Sequence, residues 1–249
     1  MTVWPDGYGR RVLSEVDSTL SEAARIAPEL AGAEWILAVR QTAARGRRGR
    51  AWIMPEGNFA ASLVLPVSGT LGQAALRSFV VSLALRSAFV AVTGREDVFA
   101  LKWPNDVLLR DGKVAGILLE TVAAGAGVTH LAIGIGVNLV AAPDVSAVEP
   151  GAVRPVALAR EMGVRVDPEA FLDHLAGAYA RYEEQFTTFG FAPIRAAWLR
   201  HAARLGQVIT ARTTGDVYRG TFVDVDADGQ LVLETSVDRI AIPAGDVYF

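Results

Sequence analysis

"RQTAARGRRGRAW", residues 40–52, places five arginines (Arg40, Arg45, Arg47, Arg48, Arg50) within eleven positions. The whole chain is acidic, with 24 Lys and Arg against 27 Asp and Glu and a formal net charge of −3. From Arg40 to Met54 there is no Asp or Glu, so nothing local in sequence neutralises the cluster. Three readings compete: a solvated turn, a nucleic-acid phosphate patch, and a loop that receives a small anionic ligand. Gly46 and Gly49 let the backbone turn sharply and approach a ligand closely. Guanidinium groups match phosphate and carboxylate oxygens with paired hydrogen bonds. Arginines about 10 Å apart in water repel by only ~0.4 kcal/mol per pair, which a fold tolerates. A loop of this kind is expected to be mobile when empty and ordered around an anion.

Composition narrows the choice. At 249 residues, 51% hydrophobic and 20% charged, the chain can bury a substantial core as one large domain, or one medium and one small. Cysteine is absent, which removes disulfides, thiolate metal sites and thiol nucleophiles and fits a reducing compartment. "MTVWPDGYGRR" has no signal-peptide run, and "FVVSLALRSAFVAV" (79–92) is interrupted by Arg86 and reads as too short to span a bilayer. A soluble, cytoplasmic protein is expected. The acidic balance argues against a general nucleic-acid binder.

Outward from the arginine loop, "EWILAVR" (34–40) and "NFAASLVLP" (58–66) read as strands on either side. "DSTLSEAARIA" (17–27) reads as a helix opened by a Thr19–Glu22 capping box. "LGQAALRSFVVSLALRSAFVAVTG" (71–94) predicts a long helix, apolar nearly all round and therefore central, stopped by Gly94. Short strands follow at "VFALKW" (98–103), "DVLLR" (106–110), "KVAGILLET" (113–121) and "THLAIGIGVNL" (129–139), with a hairpin turn at "DGK" (111–113). Residues 140–155 read as a loop, and helices are expected at 167–186 and about 191–204. After Leu205, apolar and polar residues alternate between turns at "TTGD", "DADG" and "AGD", the pattern of a small antiparallel barrel. The division is placed at 1–204 and 205–249.

Three further segments carry polar groups or missing side chains at telling places. "LKWPND" (101–106) sets Lys102 at a strand end beside Asn105 and Asp106, groups suited to hydrogen bonding or metal approach. The alternative is a strand-end lysine packed on Trp103. Gly116, Gly134 and Gly136 interrupt apolar strands, which marks either close approach by a ligand or another backbone, or a bulge or tight helix–sheet packing. "GIGVNL" is not a dinucleotide fingerprint, because a third glycine and a following helix are missing. Its Asn138 reads either as a contact to an adenine edge or as a turn cap. Ser18 and Thr19 read as helix caps or as hydroxyls facing a polar ligand. His130, His174 and His201 are scattered, and no residue set is assigned to a metal.

In this order and at these separations, "DST", "QTAARGRRGRAW", "LKWPNDVLL", "GKVAGILLE" and "GIGVNL" resemble the biotin protein ligases over essentially the whole chain. The resemblance implies an α+β fold, a mixed, largely antiparallel sheet with packed helices, followed by a small SH3-like β-barrel. It implies an ATP-dependent enzyme that makes biotinyl-5′-adenylate and passes biotin to a lysine of a biotin carboxyl carrier protein. ATP and biotin would be the substrates, and Mg²⁺ would help neutralise the triphosphate. Ser18, Thr19 and Gln41 would bond the ureido ring, and Gly116 would let it approach the strand. Arg45, Gly46 and Arg47 would close over the carboxylate and α-phosphate, supported by Arg48 and Arg50, with Trp52 along the biotin tail. Lys102 would touch carboxylate and α-phosphate, Arg45 would share its catalytic role, and Asn105 and Asn138 would meet the nucleotide.

Two positions depart from the family's pattern. Leu20 stands where asparagine is usual and Ala44 where glycine is usual, which bears on biotin affinity. Only sixteen residues precede Asp17, so a ligase without the DNA-binding repressor module is expected, with no membrane partner, as a monomer or weak homodimer. The sibling alternative is lipoate or octanoyl transfer on the same fold. A phosphate-binding nucleic-acid module is the non-enzymatic one, and it predicts binding that weakens steeply with salt.

Overall fold

A strand that is apolar on both faces needs cover on both sides, and Phe59–Pro66 (β3) is buried at every position except its terminal proline. In the computed structural model, which describes residues 3–124, 127–149 and 151–249, that cover comes from helices on either face of a seven-stranded sheet. Across the sheet the order is Tyr8–Val16 (β1), Ala33–Gln41 (β2), β3, Gly127–Val137 (β7), Gly112–Ala124 (β6), Asp106–Leu109 (β5) and Phe99–Lys102 (β4). Only β1 and β2 run parallel; every other pairing is antiparallel. This is the mixed, largely antiparallel sheet that the family likeness implies. Met1, Thr2 and Pro150, parts of the segments read above as N-terminal tail and loop, lie outside the described residues.

One face of the sheet is covered by Thr19–Ile26 (α1), which connects β1 to β2. Leu20, Ala23 and Ile26 pack on Ile36, Val64 and Ala132 in a small separate core. The opposite face carries Leu71–Ala75 (α2), Arg77–Thr93 (α3), Leu158–Met162 (α4), Pro168–Phe189 (α5) and Phe191–Leu199 (α6). In α3 every residue from Ser78 to Leu85 is buried, so the helix needs cover all round, as its sequence predicts. Gly94 ends it at φ 67°, in the left-handed region. Trp35, Phe59, Phe89, Phe171, Tyr179 and Trp198 fill the main core, each large side chain contributing about 1.5–3 kcal/mol by burial.

The chain's remainder forms an antiparallel five-stranded sheet: Val208–Arg212 (β8), Val217–Val225 (β9), Leu231–Glu234 (β10), Arg239–Ile242 (β11) and Asp246–Tyr248 (β12). Its order is β11, β10, β9, β8, β12, and β10 alternates buried and half-exposed residues. Ile209, Phe222, Leu231, Leu233, Ile242 and Val247 join the main core without a break. Trp103 Nε1 donates to Gly229 O at 3.0 Å, tying the barrel to the end of β4.

Several local expectations are corrected. β1 escapes the sequence reading because Arg10, Arg11 and Glu15 mask an edge strand with no fully buried position. Thr19 and Glu22 form no capping box: Thr19 turns to Gln41, and Glu22 accepts from Arg25 Nε at 2.8 Å. The capping box is instead Thr70 with Gln73, opening α2. The β5–β6 turn lies one residue earlier than expected, with Arg110 and Asp111 at φ 47° and 66°, as a type I′ hairpin requires. The helix expected at 191–204 ends at Leu199, and α4 was not anticipated. Leu71–Thr93 is, by length and composition, long and apolar enough to cross a membrane, contrary to the sequence reading; 67% of its apolar window is buried within the fold.

Candidate active site

The motif at 102–106 is a hairpin whose ends face each other. Lys102 and Asp106 are direct cross-strand partners at the tips of β4 and β5, and Asp106 pairs in turn with Gly116 on β6. Lys102 Nζ lies 3.5 Å from Asp106 Oδ2, and Lys113 Nζ lies 2.7 Å from Asp106 Oδ1. Burial lowers the Lys102 pKa from the ordinary lysine value, and Asp106 partly restores it. Burial also opposes ionisation of Asp106, but Lys113 and then Lys102 outweigh it and hold the carboxyl below the usual range. The site therefore keeps a buried carboxylate between two ammonium groups. The Trp103 ring enters the core, and the Lys102 ammonium sits 5.8 Å from the Phe249 ring centre. Asn105 secures the hairpin by donating from Nδ2 to Ile117 O at 2.5 Å and accepting from Ile117 N through its own carbonyl at 2.9 Å.

Beside this hairpin the sheet has a trough without side chains. Gly134 and Gly136 lie two residues apart on β7 and so share a face, and Gly116 is the cross-strand partner of Gly136. A Cβ at Gly136 would fall 2.4 Å from the Trp52 ring, and one at Gly134 would fall 2.6 Å from Leu20 Cδ1. At Gly116 the nearest atoms would be Lys113 Cε at 3.2 Å and Trp52 Cζ3 at 3.3 Å. The close approach expected of these glycines is thus made by the protein's own indole and leucine.

Ser18 and Thr19 open α1 at the trough's edge, both buried. Ser18 makes no side-chain cap. Gln41 Oε1, at the end of β2, accepts from Thr19 N at 2.7 Å and from Thr19 Oγ1 at 3.2 Å, and Ser62 Oγ donates to Thr19 Oγ1 at 2.8 Å. Asn138, just after β7, helps line the cavity and is buried, with its Oδ1 lacking a hydrogen-bond partner within the protein.

The arginine loop roofs the cavity. Its guanidiniums pair with carboxylates from distant segments. Arg45 is gripped by Glu120 on β6, from Nε to Oε1 at 3.1 Å and from Nη2 to Oε2 at 2.7 Å, and it donates to Ser21 Oγ at 2.8 Å. Arg47 Nη1 reaches Asp246 Oδ1 at 3.1 Å, Arg48 Nη1 reaches Asp246 Oδ2 at 3.2 Å, and Arg50 Nη2 reaches Glu149 at 2.8 Å. Arg40 pairs with Glu15 at 2.5 Å, away from the others. The loop's arginines are therefore held by ion pairs, where the sequence predicts unpaired ones.

Together these elements enclose a cavity of about 550 Å³. Of the residues expected at a site, Ser18, Thr19, Gln41, Arg45, Gly46, Arg47, Arg50, Trp52, Lys102, Asn105, Gly116 and Asn138 line it. Arg48, at φ 57°, does not line it and is turned to Asp246. Asp106, Lys113, Asp246 and Tyr248 also line it and were not assigned to it from sequence. Lys113 could have been found from the hairpin register, since it lies three residues before Gly116 on the strand facing Asp106. Asp246, in a different sheet, carried no local signal.

Fold and cavity together define a two-sheet α+β protein with a cationic cleft for a small anionic ligand. Residues 9–138 match the Biotin/lipoate A/B protein ligase family, and residues 205–249 match the biotin protein ligase C terminal domain. The chain belongs to the biotin/lipoate A/B protein ligase family. It is 53% identical over 238 residues to a biotin--[acetyl-CoA-carboxylase] ligase of Paracoccus denitrificans, covering 96% of this chain and 99% of that one. It is 31% identical to the bifunctional ligase/repressor BirA of Bacillus subtilis (strain 168), over 95% of this chain and 71% of the relative. Its fold matches a biotin protein ligase from Aquifex aeolicus, solved in complex with biotin and ATP, with a TM-score of 0.78 at 24% identity, covering 96% of this chain and 97% of that one.

Proposed function

We infer that this chain is an ATP-dependent biotin ligase acting on a biotin carboxyl carrier protein. In the first step a biotin carboxylate oxygen attacks the α-phosphorus of ATP, giving biotinyl-5′-AMP and pyrophosphate. In the second, a carrier lysine amine attacks the acyl carbon, an amide forms, and AMP leaves. The observation that carries this reading is the meeting of Lys102 and the arginine loop at one cavity beside the glycine trough. Two anionic groups, a carboxylate and a phosphate, need cations fixed in advance on both sides.

Lys102, at a strand end and braced by Asp106, supplies a fixed ammonium for charge that develops as the carboxylate attacks. Arg47 and Arg50 each reach their counter-ions through terminal nitrogens, leaving further N–H donors for ligand oxygens. Arg45, with its fork on Glu120, anchors the loop's start and lends charge to the cavity. Ser18, Thr19 and Gln41 suit the polar ureido ring, Trp52 the apolar tail, and the unpartnered Asn138 Oδ1 an exocyclic amine such as that of adenine. Gly116 leaves room for the ring. Arg48 supports the loop from behind, and Asn105 positions the hairpin under the nucleotide.

Among the described residues no group of three His, Asp or Glu gathers to hold a metal. Mg²⁺ would help neutralise the triphosphate when ATP is bound. We divide the chain into a catalytic unit, 1–204, and a barrel, 205–249, and take the working form to be a cytoplasmic monomer or weak homodimer.

The sibling reading, lipoate or octanoate activation, is separated by one measurement. Pyrophosphate release from ATP should depend on biotin, followed by biotin transfer to a carrier domain. Release driven by lipoate and indifferent to biotin would overturn the assignment.

A further inference from the structure

The three central loop arginines converge on one side chain of the second sheet. Arg47 and Arg48 lie 3.1 and 3.2 Å from the two oxygens of Asp246, and Arg50 lies 3.7 Å from Oδ2. Arg47 Nη2 also donates to Gly245 O at 3.2 Å, so backbone and side chain of the same turn hold one guanidinium. Asp246 opens β12, where Val247 is buried in the common core, and its side chain is only 18% exposed. It also lines the cavity, and its charge acts on Lys102 across it. With Glu149 on Arg50, three positive charges meet two carboxylates, so the loop stays cationic while its guanidiniums are kept from repelling one another apart.

We propose that Asp246 is a positioning residue for adenylate retention: carried by the barrel, it gathers Arg47, Arg48 and Arg50 and holds the loop across the cavity. The barrel is thereby part of the active site's roof. Asp246 pairs with the loop, and its effect on adenylate retention is exerted by holding that loop. Removing its charge leaves three neighbouring guanidiniums to spread, the loop opens, and the reactive mixed anhydride escapes to water before the acceptor amine arrives.

Two measurements test this, and only the second rests on the ligase reading. In the ligand-free protein, trypsin cuts after exposed, mobile arginines, so nicking within residues 45–50, located by fragment mass, reports loop opening. Asp246→Asn and Asp246→Ala should be nicked there about tenfold faster than the parent, and Asp246→Glu should restore most of the protection. Unchanged nicking in both neutral variants overturns the proposal. So does global unfolding of both, because a positioning role leaves the barrel core intact. In the second measurement, biotinyl-5′-AMP formed on the enzyme is chased with excess unlabelled adenylate. Its dissociation should be about tenfold faster in Asp246→Asn. Slower dissociation would mean that Asp246 competes with the ligand for the arginines, and the proposal would fall. A parent protein that forms no adenylate would defeat the ligase assignment, while the nicking result would still decide what Asp246 does.

Discussion

Lys102 shows how a single buried side chain is made useful. A lysine taken out of water loses solvation, and Asp106, its cross-strand partner, keeps it charged; Lys113 then keeps Asp106 charged. Lys102→Met should lower single-turnover adenylate formation by about 10²–10³-fold, the size found for a preorganised transition-state contact. The fold should survive, because methionine fills the space and Asp106 retains Lys113. A near-normal rate with a native unfolding midpoint would remove Lys102 from the chemistry. The lowered Lys102 pKa has a consequence with a definite sign. Adenylation should fall on the alkaline side at a pH below that of an ordinary lysine, as Lys102 loses its proton. Asp106→Asn should move that limb lower still; a limb at or above the ordinary lysine value would contradict it. The Asp106 carboxyl, held below its usual value, contributes stability above its unfolded pKa that is lost only as pH falls through the folded one. Its pairing should therefore leave stability flat from about pH 5 upward.

At the scale of elements, β6 and β7 act as a surface from which side chains have been removed. Gly136 has ordinary backbone angles, so its role is space alone. Gly136→Ala would push a methyl to 2.4 Å from the Trp52 ring and force the indole off the sheet. The expected result is a biotin KM raised by about tenfold, with the thermal midpoint lowered by a few degrees, since relieving an overpacked contact costs about 1–3 kcal/mol. An unchanged KM would show that Trp52 can leave the trough without consequence. The arginine loop is the contrasting element. It has little regular structure of its own, only a single turn at Arg47–Gly49, and is shaped by what it touches.

At the scale of the molecule, the two sheets share one apolar core, and Trp103 and Arg195 make hydrogen bonds across the boundary. A barrel joined this way should not unfold alone. Urea denaturation followed by tryptophan fluorescence and far-ultraviolet circular dichroism should give coincident curves and one transition. Two resolved transitions would show that the barrel is an independent unit. Trp103→Phe, which removes the bond to Gly229, should cost about 1 kcal/mol while keeping a single transition.

The sequence by itself determined whatever depends on neighbours along the chain. The all-round apolar pattern of α3, the glycines spaced by two on β7 and the alternation of the barrel strands each follow from local geometry of period 3.6 or 2. β1 was hidden because an edge strand buries too little to show that period. Only the tertiary structure decided what the arginines meet. Glu120 lies 75 residues beyond Arg45, and Asp246 lies 199 beyond Arg47. Charge neutralisation acts through space, over a few ångströms, so a loop free of acids in sequence became one whose arginines all face carboxylates once two sheets closed around it.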